Sequence, residues 1–319
     1  MSSNQTLSVV VPCYNEQEVL EQTHRRLSEV LAGLEDLDYE IVYVDDGSVD
    51  GTGQILRRLA RDDRRVRVVI FSRNFGHQQA VTAGIDHASG DGVVVIDADL
   101  QDPPEVILEM VSAWRSGADV AYGVRTERQG DSLFKRATAK GFYRVIHSLS
   151  EVRIPPDTGD FRLMDRRVVR ALGQMNEQDR YLRGMVSWLG FNQQPVKFKR
   201  HARLAGQTKY PLRKMIRFAV DGILSFSQKP LRLATWLGLF AAFAAFAGIL
   251  WVLVVRLIFN QWVAGWASIL VAILFLGGVQ LICMGILGEY VGRIYRESKS
   301  RPLYLVKDTL GFQKDTNNE

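Results

Sequence analysis

The chain has 319 residues, 47% of them hydrophobic and 24% charged, with a formal net charge of +5. That length holds one large α/β domain and a smaller appendage. Mean hydropathy is near zero, but the average hides a split between a globular stretch to about residue 210 and nearly uninterrupted apolar runs over 231–288. The basic excess sits at Lys197–Lys229 and Arg293–Arg301, beside those apolar runs, which points to anionic lipid head groups and away from nucleic acid. Cys13 and Cys283 are the two cysteines, too few for a disulfide framework or a zinc site. The opening MSSNQTLSVVVP has no charged region followed by an apolar core. No signal peptide is therefore expected, and the bulk of the chain is expected in the cytoplasm.

In chain order, LSVVVP (7–12) reads as a buried strand, and residues 16–34 carry apolar side chains at helical spacing. YEIVYVDD (39–46) is a second strand, followed by a helix through Gln54 and Leu59. VRVVIFS (66–72) is a third strand, with a helix over 77–88. GVVVIDAD (92–99) is a fourth, with a helix opened by Pro103 and Pro104, and ADVAYG (118–123) is a fifth. Strands alternating with helices predict a doubly wound, mostly parallel α/β sheet. In such sheets ligands bind beyond the carboxyl ends of the strands. Four polar clusters fall there: Tyr14-Asn15-Glu16, Asp45-Asp46-Gly47-Ser48, Arg73-Asn74 and Asp97-Ala98-Asp99. Capping and turn chemistry is the competing reading of VDDGSVDGT.

Residues 131–150 and 211–228 pair apolar with basic residues at helical spacing and are candidates for the membrane interface; packing on the core is the alternative. Leu233–Val255 and Trp266–Gly288 are uncharged and each long enough to cross a bilayer. Lys229 and Arg232 precede the first span, and Arg293, Arg296, Lys299 and Arg301 follow the second, so both termini are expected in the cytoplasm. Trp251, Trp262 and Trp266 fit an aromatic belt at the outer end. RPLYLVKD (301–308) reads as an exposed strand that could pair with a neighbouring subunit, which motivates a homo-oligomer. The expected division is a cytoplasmic catalytic domain over 1–210, an interfacial helix over 211–230, two spans over 231–290, and a cytoplasmic tail over 291–319.

Side chains alternate along a strand, so Asp97 and Asp99 can aim the same way. Paired carboxylate oxygens at a strand terminus suit Mg²⁺ or Mn²⁺ shared with substrate phosphates. Asp-x-Asp alone is a weak signal; its place after an apolar strand and before LQDPPE strengthens it. Arg125, just past the fifth strand, can meet phosphate oxygens in bidentate fashion, against a plain surface salt bridge. In RLAGQTKY, Gly206 would let backbone approach a ligand. Lys209 adds charge there or is simply solvated. His77 is read as a cap or nucleotide-packing group before a catalytic one. Trp188 packs either near the sugar or in the core.

PCYNE (12–16), YVDDGSVDGT (43–52), SRNFGHQQAVTAGI (72–85) and DADLQDPPE (97–105) resemble family 2 glycosyltransferases of the GT-A fold. DTGDFRLMDR (157–166), RYLRGMVSWLG (180–190) and RLAGQTKYPL (203–212) extend the likeness to polyprenyl-phosphate glycosyltransferases, the bactoprenol glucosyltransferases and dolichol-phosphate mannose synthases. The resemblance covers nearly the whole chain. It implies that Pro12, Tyr14, Glu16 and Asp46 hold the base and ribose of a nucleotide-sugar, with Asp97 and Ala98 in the same pocket. It implies that Asp97, Asp99 and Gln101 organise the metal and that Arg125 meets the donor. It also places Arg203, with Lys209, on the acceptor phosphate and makes Asp160 the carboxylate discussed as catalytic. A phosphate acceptor already carries about 1.5–2 negative charges near neutral pH. Asp160 can therefore orient the acceptor or remove a residual proton, with Asp157 as a second candidate or a turn cap. The wording of the motifs favours glucose from UDP-glucose and undecaprenyl phosphate at the bacterial cytoplasmic (inner) membrane. Two rivals stand beside this reading. A processive polysaccharide synthase would need a Gln-x-x-Arg-Trp motif and more spans. A non-catalytic membrane module that binds nucleotide-sugar would tolerate loss of Asp97 and Asp99.

Overall fold

A computed structural model describes residues 5–34, 36–126, 155, 158–200, 227–258 and 265–312, with the side chains of a few residues near the helix ends at 252–270 left aside. The candidate interfacial helices, apart from Ser227 and Gln228, lie outside the described residues, as do Asp157, Arg203 and Lys209. Chain contacts divide the protein into two units, one holding the N-terminal region together with Arg301–Glu319, the other holding Arg213–Ser300.

The first unit is built on an eight-stranded sheet. Its strands are β1 (Gln5–Cys13), β2 (Leu37–Asp45), β3 (Val66–Phe71), β4 (Gly92–Val95), β5 (Val120–Arg125), β6 (Thr158–Asp165), β7 (Gln193–Phe198) and β8 (Val306–Leu310). Its helices are α1 (Leu20–Ala32), α2 (Thr52–Asp62), α3 (His77–His87), α4 (Val106–Arg115), α5 (Arg166–Gly173) and α6 (Leu182–Trp188). The strand order is β7-β5-β6-β4-β1-β2-β3-β8. β1 pairs in parallel with β2 and β4, β2 with β3, and β5 with β7, so the sheet is mostly parallel, as the alternating pattern predicts. Val9, Val10 and Val11 of β1 are fully buried, because helices cover both faces of a parallel sheet. On α1, Leu20, Thr23, Leu27 and Leu31 form the buried stripe of an amphipathic helix.

Three features depart from the expected order. β6 runs antiparallel between β4 and β5, with Leu163 opposite both Val94 and Ala121. Both of its faces are buried from Gly159 to Met164, so the polar members of its alternating Asp160-Phe161-Arg162-Leu163 run lie inside the protein and not on a solvated face. The fourth strand stops at Val95, and Asp97-Ala98-Asp99 lies in the turn beyond it. The C-terminal strand does form, but β8 pairs antiparallel with β3 of its own chain, Val69 opposite Thr309. Tyr304 stacks on Phe71 at 5.0 Å, and its hydroxyl donates to Asp86 at 2.9 Å. The strand thus has a partner within its own chain, and β8 itself forms the outer edge of the sheet.

The second unit is a hairpin of α7 (Lys229–Leu257) and α8 (Trp266–Ser298). Both helices are long and apolar enough to cross a membrane. Ala234 and Ala241 are buried between them, and the Cys283 thiol lies 3.5 Å from the Ala234 carbonyl, the small-residue contact that lets two apolar helices approach. Outward side chains such as Phe240, Phe243, Ile273 and Leu281 are 62–71% exposed, a surface suited to lipid. Both cysteines are free.

Candidate active site

The loops at the carboxyl ends of β1 and β2 are stapled together. The Asn15 amide donates to Ser48 Oγ at 3.0 Å while the Val49 amide donates to Asn15 Oδ1 at 2.9 Å. The Glu16 amide donates to Thr52 Oγ1 at 2.8 Å. Tyr14 is left 45% exposed on this rim, and Pro12 is buried inside β1. Asp46 is 3% exposed, and its oxygens accept from the Asn74 side chain and from the amides of Phe75 and Gly76 at 2.7–3.2 Å. Its carboxylate therefore shapes the loop after β3. Burial raises its pKa, with those amide donors opposing. Gly47 makes the tight crossing possible: its φ is +67°, and an added Cβ would stand 2.4 Å from the Arg73 backbone.

The acidic turn after β4 is held from below by Thr23, whose hydroxyl donates to the Ala98 carbonyl at 2.7 Å. Leu100, nearly buried, adopts φ +54°, a conformation non-glycine residues rarely take. Gln101 donates its backbone amide to Asp99 Oδ1 at 3.1 Å. Asp97 stays 32% exposed. Desolvation first, then the charges of Asp160, Asp102 and Asp99 against the pull of His77, push its pKa up to about 6. Among the described residues no three His, Cys, Asp or Glu side chains group tightly enough to enclose an ion. The arrangement fits the open kind of site instead, in which one or two carboxylates share Mg²⁺ or Mn²⁺ with substrate phosphates. The excess negative charge at Asp97 is what such a cation would neutralise, with Asp97 and Asp99 the residues that would hold it.

Because β6 is antiparallel, its first residues lie beside the carboxyl ends of the parallel strands. With Arg162 opposite Val95, Asp160 falls beyond the end of β4, beside the acidic turn. Asp160 is 8% exposed and accepts from Arg183 Nε at 2.8 Å, from Gln78 Nε2 at 3.2 Å and from His77 Nε2 at 3.1 Å. Burial works to raise its pKa, but the Arg183 guanidinium and His77 outweigh burial and hold the carboxyl well below its ordinary value. Arg162, also buried next to it, is lowered to about 10 chiefly by desolvation. A carboxylate so firmly ionised is a poor proton acceptor, a condition that fits a positioning group better than a general base. His77 spans the two acids, with Nε2 3.8 Å from Asp97 Oδ1. Burial lowers its pKa, yet the bond to Asp160 and the charge of Asp97 raise it overall.

Arg125 lies at the end of β5, its guanidinium 3.5 Å from the buried Asp102. Gly159 leaves room for it, since an added Cβ would stand 2.8 Å from Arg125 Nη2. Sequence reasoning gave no role to Arg183, Gln78, Arg162, Asp102 or Arg200. RYLRGMVSWLG contained the signal for Arg183, a lone cation on an otherwise apolar helix. Trp188 is 62% exposed and not a core residue.

Residues 8–173 match the family described as Glycosyl transferase family 2, and residues 229–294 match the GtrB C-terminal hairpin. The glycosyltransferase YkcC of Bacillus subtilis (strain 168) is 47% identical, over 98% of this chain and 97% of that one. The bactoprenol glucosyl transferase of Shigella phage SfV is 44% identical, over 95% of this chain and 97% of its own. The prophage bactoprenol glucosyl transferase homolog of Escherichia coli (strain K12) is 42% identical, over 94% and 98%. Among solved structures, the mannosyltransferase PcManGT from Pyrobaculum calidifontis, in complex with GDP-Man and Mn²⁺, shares 20% identity at a TM-score of 0.46, covering 89% of this chain and 88% of that one. The chain is a glycosyltransferase and belongs to glycosyl transferase family 2, in the form that carries the GtrB-type C-terminal hairpin.

Proposed function

We propose that the protein transfers a sugar, glucose from UDP-glucose as first choice, to undecaprenyl or another polyprenyl phosphate at the cytoplasmic face of the bacterial inner membrane. The observation that carries this reading is the extent of the likeness. Relatives named for bactoprenol glucosyl transfer align over 94–95% of the chain, through the apolar hairpin as well as the catalytic unit. The hairpin would hold the enzyme where a lipid acceptor is confined, and the basic residues flanking it fit both termini on the cytoplasmic side.

The reaction on this reading is a single displacement at the anomeric carbon. The acceptor phosphate oxygen attacks opposite the leaving nucleoside diphosphate, which inverts an α-linked donor to a β-linked product. The nucleophile is already anionic, so the site must position it rather than deprotonate it. Asp160 serves that purpose by fixing His77, Gln78 and Arg183 around the reacting space. Arg125 would neutralise charge on the departing diphosphate. Tyr14, Glu16 and Pro12 would line the nucleoside end, with Asp46 acting through the loop it shapes. Arg203 and Lys209 would meet the acceptor phosphate. A divalent ion on Asp97 and Asp99 supplies charge stabilisation for the leaving group when bound.

The test is a screen of nucleotide-sugars with purified full-length protein, Mn²⁺ or Mg²⁺ and undecaprenyl phosphate, the lipid product identified by mass. A hexosyl-phosphoryl-undecaprenol from UDP-glucose is expected; no lipid-linked sugar from any common donor would sink the reading.

A further inference from the structure

We propose that Arg200 is a second guanidinium of the donor's phosphate site, paired with Arg125 on the buried carboxylate of Asp102 so that the two arginines grip the diphosphate of the nucleotide-sugar together. The proposal rests on the reading of the chain as a nucleotide-sugar-dependent transferase. β5 and β7 are parallel neighbours with Arg125 opposite Phe198, so Arg200, two residues further, leaves the sheet at the same end as Arg125. The junction is fixed, because the Thr126 amide and hydroxyl both donate to the Phe198 carbonyl, at 3.0 and 3.1 Å.

Asp102 is 1% exposed and lies between the two, 3.5 Å from Arg125 Nη2 and 3.2 Å from Arg200 Nε. One carboxylate cannot neutralise two guanidiniums, so the three groups taken by themselves carry one positive charge. Both separations exceed the roughly 2.7–2.9 Å of a well-formed charge-assisted bond. Asp102 Oδ1, Arg125 Nε and Arg200 Nε are buried without a hydrogen-bond partner among the described residues. A buried polar group in this condition is unusual and marks a place where a ligand completes the pattern. The arginine side chains remain 28% and 30% exposed, which leaves surface for that ligand.

Position names the ligand's chemistry. Asp102 follows the Asp97–Asp99 turn directly, and the charge of Asp99 reaches it. An anion held by this cluster therefore lies beside the carboxylates that suit a divalent cation. Charge on both sides of one small volume fits a diphosphate, whose oxygens can meet a cation and two planar forks at once. Asp102 acts here as a positioning residue that keeps the two forks side by side.

The experiment measures dissociation constants for UDP and UMP by titration calorimetry on the full-length protein in detergent with Mn²⁺. Wild type is compared with Arg200→Gln and Arg200→Lys, with melting temperatures checked alongside. Loss of a charge-assisted contact predicts that Arg200→Gln weakens UDP by about tenfold to a hundredfold. UMP should change by no more than about threefold, and Arg200→Lys should fall between, because lysine keeps the charge without the fork. If Arg200→Gln fails to fold, the lysine variant carries the same comparison. UDP binding equal to wild type, with a raised KM for polyprenyl phosphate or with no change at all, would overturn the proposal and leave the transferase reading standing. A wild-type protein that binds no nucleoside diphosphate, GDP and CDP included, would remove both.

Discussion

Replacing Asp160 with Asn separates a positioning carboxylate from a catalytic base. The carboxylate collects four contacts from His77, Gln78 and Arg183, between 2.8 and 3.4 Å, at 8% exposure. Removing one partner of a buried ion pair costs about 3–5 kcal/mol. Asparagine keeps one acceptor oxygen and Arg183 is 27% exposed to water, so about 2 kcal/mol is expected, or a fall of about 4–8 °C in Tm for a domain of this size. The pH dependence has a definite sign. The depressed pKa of Asp160 contributes stability that is lost only in strong acid, so it is constant from pH 5 to 9. The raised pKa of His77 contributes stability that is full below the ordinary histidine value and fades as pH rises through the folded-state value. With chelator present, the gap in Tm between wild type and Asp160→Asn should therefore be wider at pH 5.5 than at pH 8.5. In the transfer assay, kcat should fall by about a hundredfold through misplacement of the reacting groups. The fall should persist across pH 6 to 9, varying only as the raised His77 ionisation is lost, and both enzymes should share the acceptor's own ionisation near pH 6. A single ionisation in the wild-type rate profile that the substitution abolishes would show Asp160 to be a proton acceptor and refute this account.

Asp97, with its pKa pushed up to about 6, must lose a proton before it can hold a cation. Affinity for Mn²⁺ should therefore weaken by up to about tenfold per unit as pH falls below 6, and a flat profile from pH 7 to 5 would contradict that. Gly159→Ala places a methyl group 2.8 Å from Arg125 Nη2. The arginine must shift, and donor KM should rise several-fold with little change in Tm; unchanged kinetics would show that Arg125 is not seated there during turnover. Deleting residues 301–319 strips β8 from β3 and leaves the Val66–Phe71 edge open. The truncated protein should melt lower and aggregate on heating, whereas an unaltered melting curve would mean that β8 adds nothing to the sheet.

Local pattern carried a large share of this protein. The βα alternation, the polar clusters at strand ends and the acid pair after an apolar strand are all short-range signals, as are the two apolar helices. They are legible because strand and helix periods and bilayer length are properties of neighbouring residues. Other features had no such signal. β6 enters the sheet between strands that precede it, so its place in the order does not show in the chain, and its polar residues are buried where alternation would put them in solvent. β8 looked like a free edge because its partner is more than two hundred residues away.

The sequence by itself determined which carboxylates and cations this protein possesses and that its C-terminal third includes two helices apolar enough for a bilayer. Only the tertiary structure decided what state those groups are in. Asp97 and Asp160 are the same chemical group in one cleft, yet one is pushed up to about 6 and the other is held far below its usual value. The main difference is Arg183, which reaches Asp160 from helix α6 and, with His77, bonds it directly, while Asp97 is left with the like charges of Asp160, Asp102 and Asp99. Ionisation follows the field of neighbours brought together in space, and that field comes into being when the chain folds.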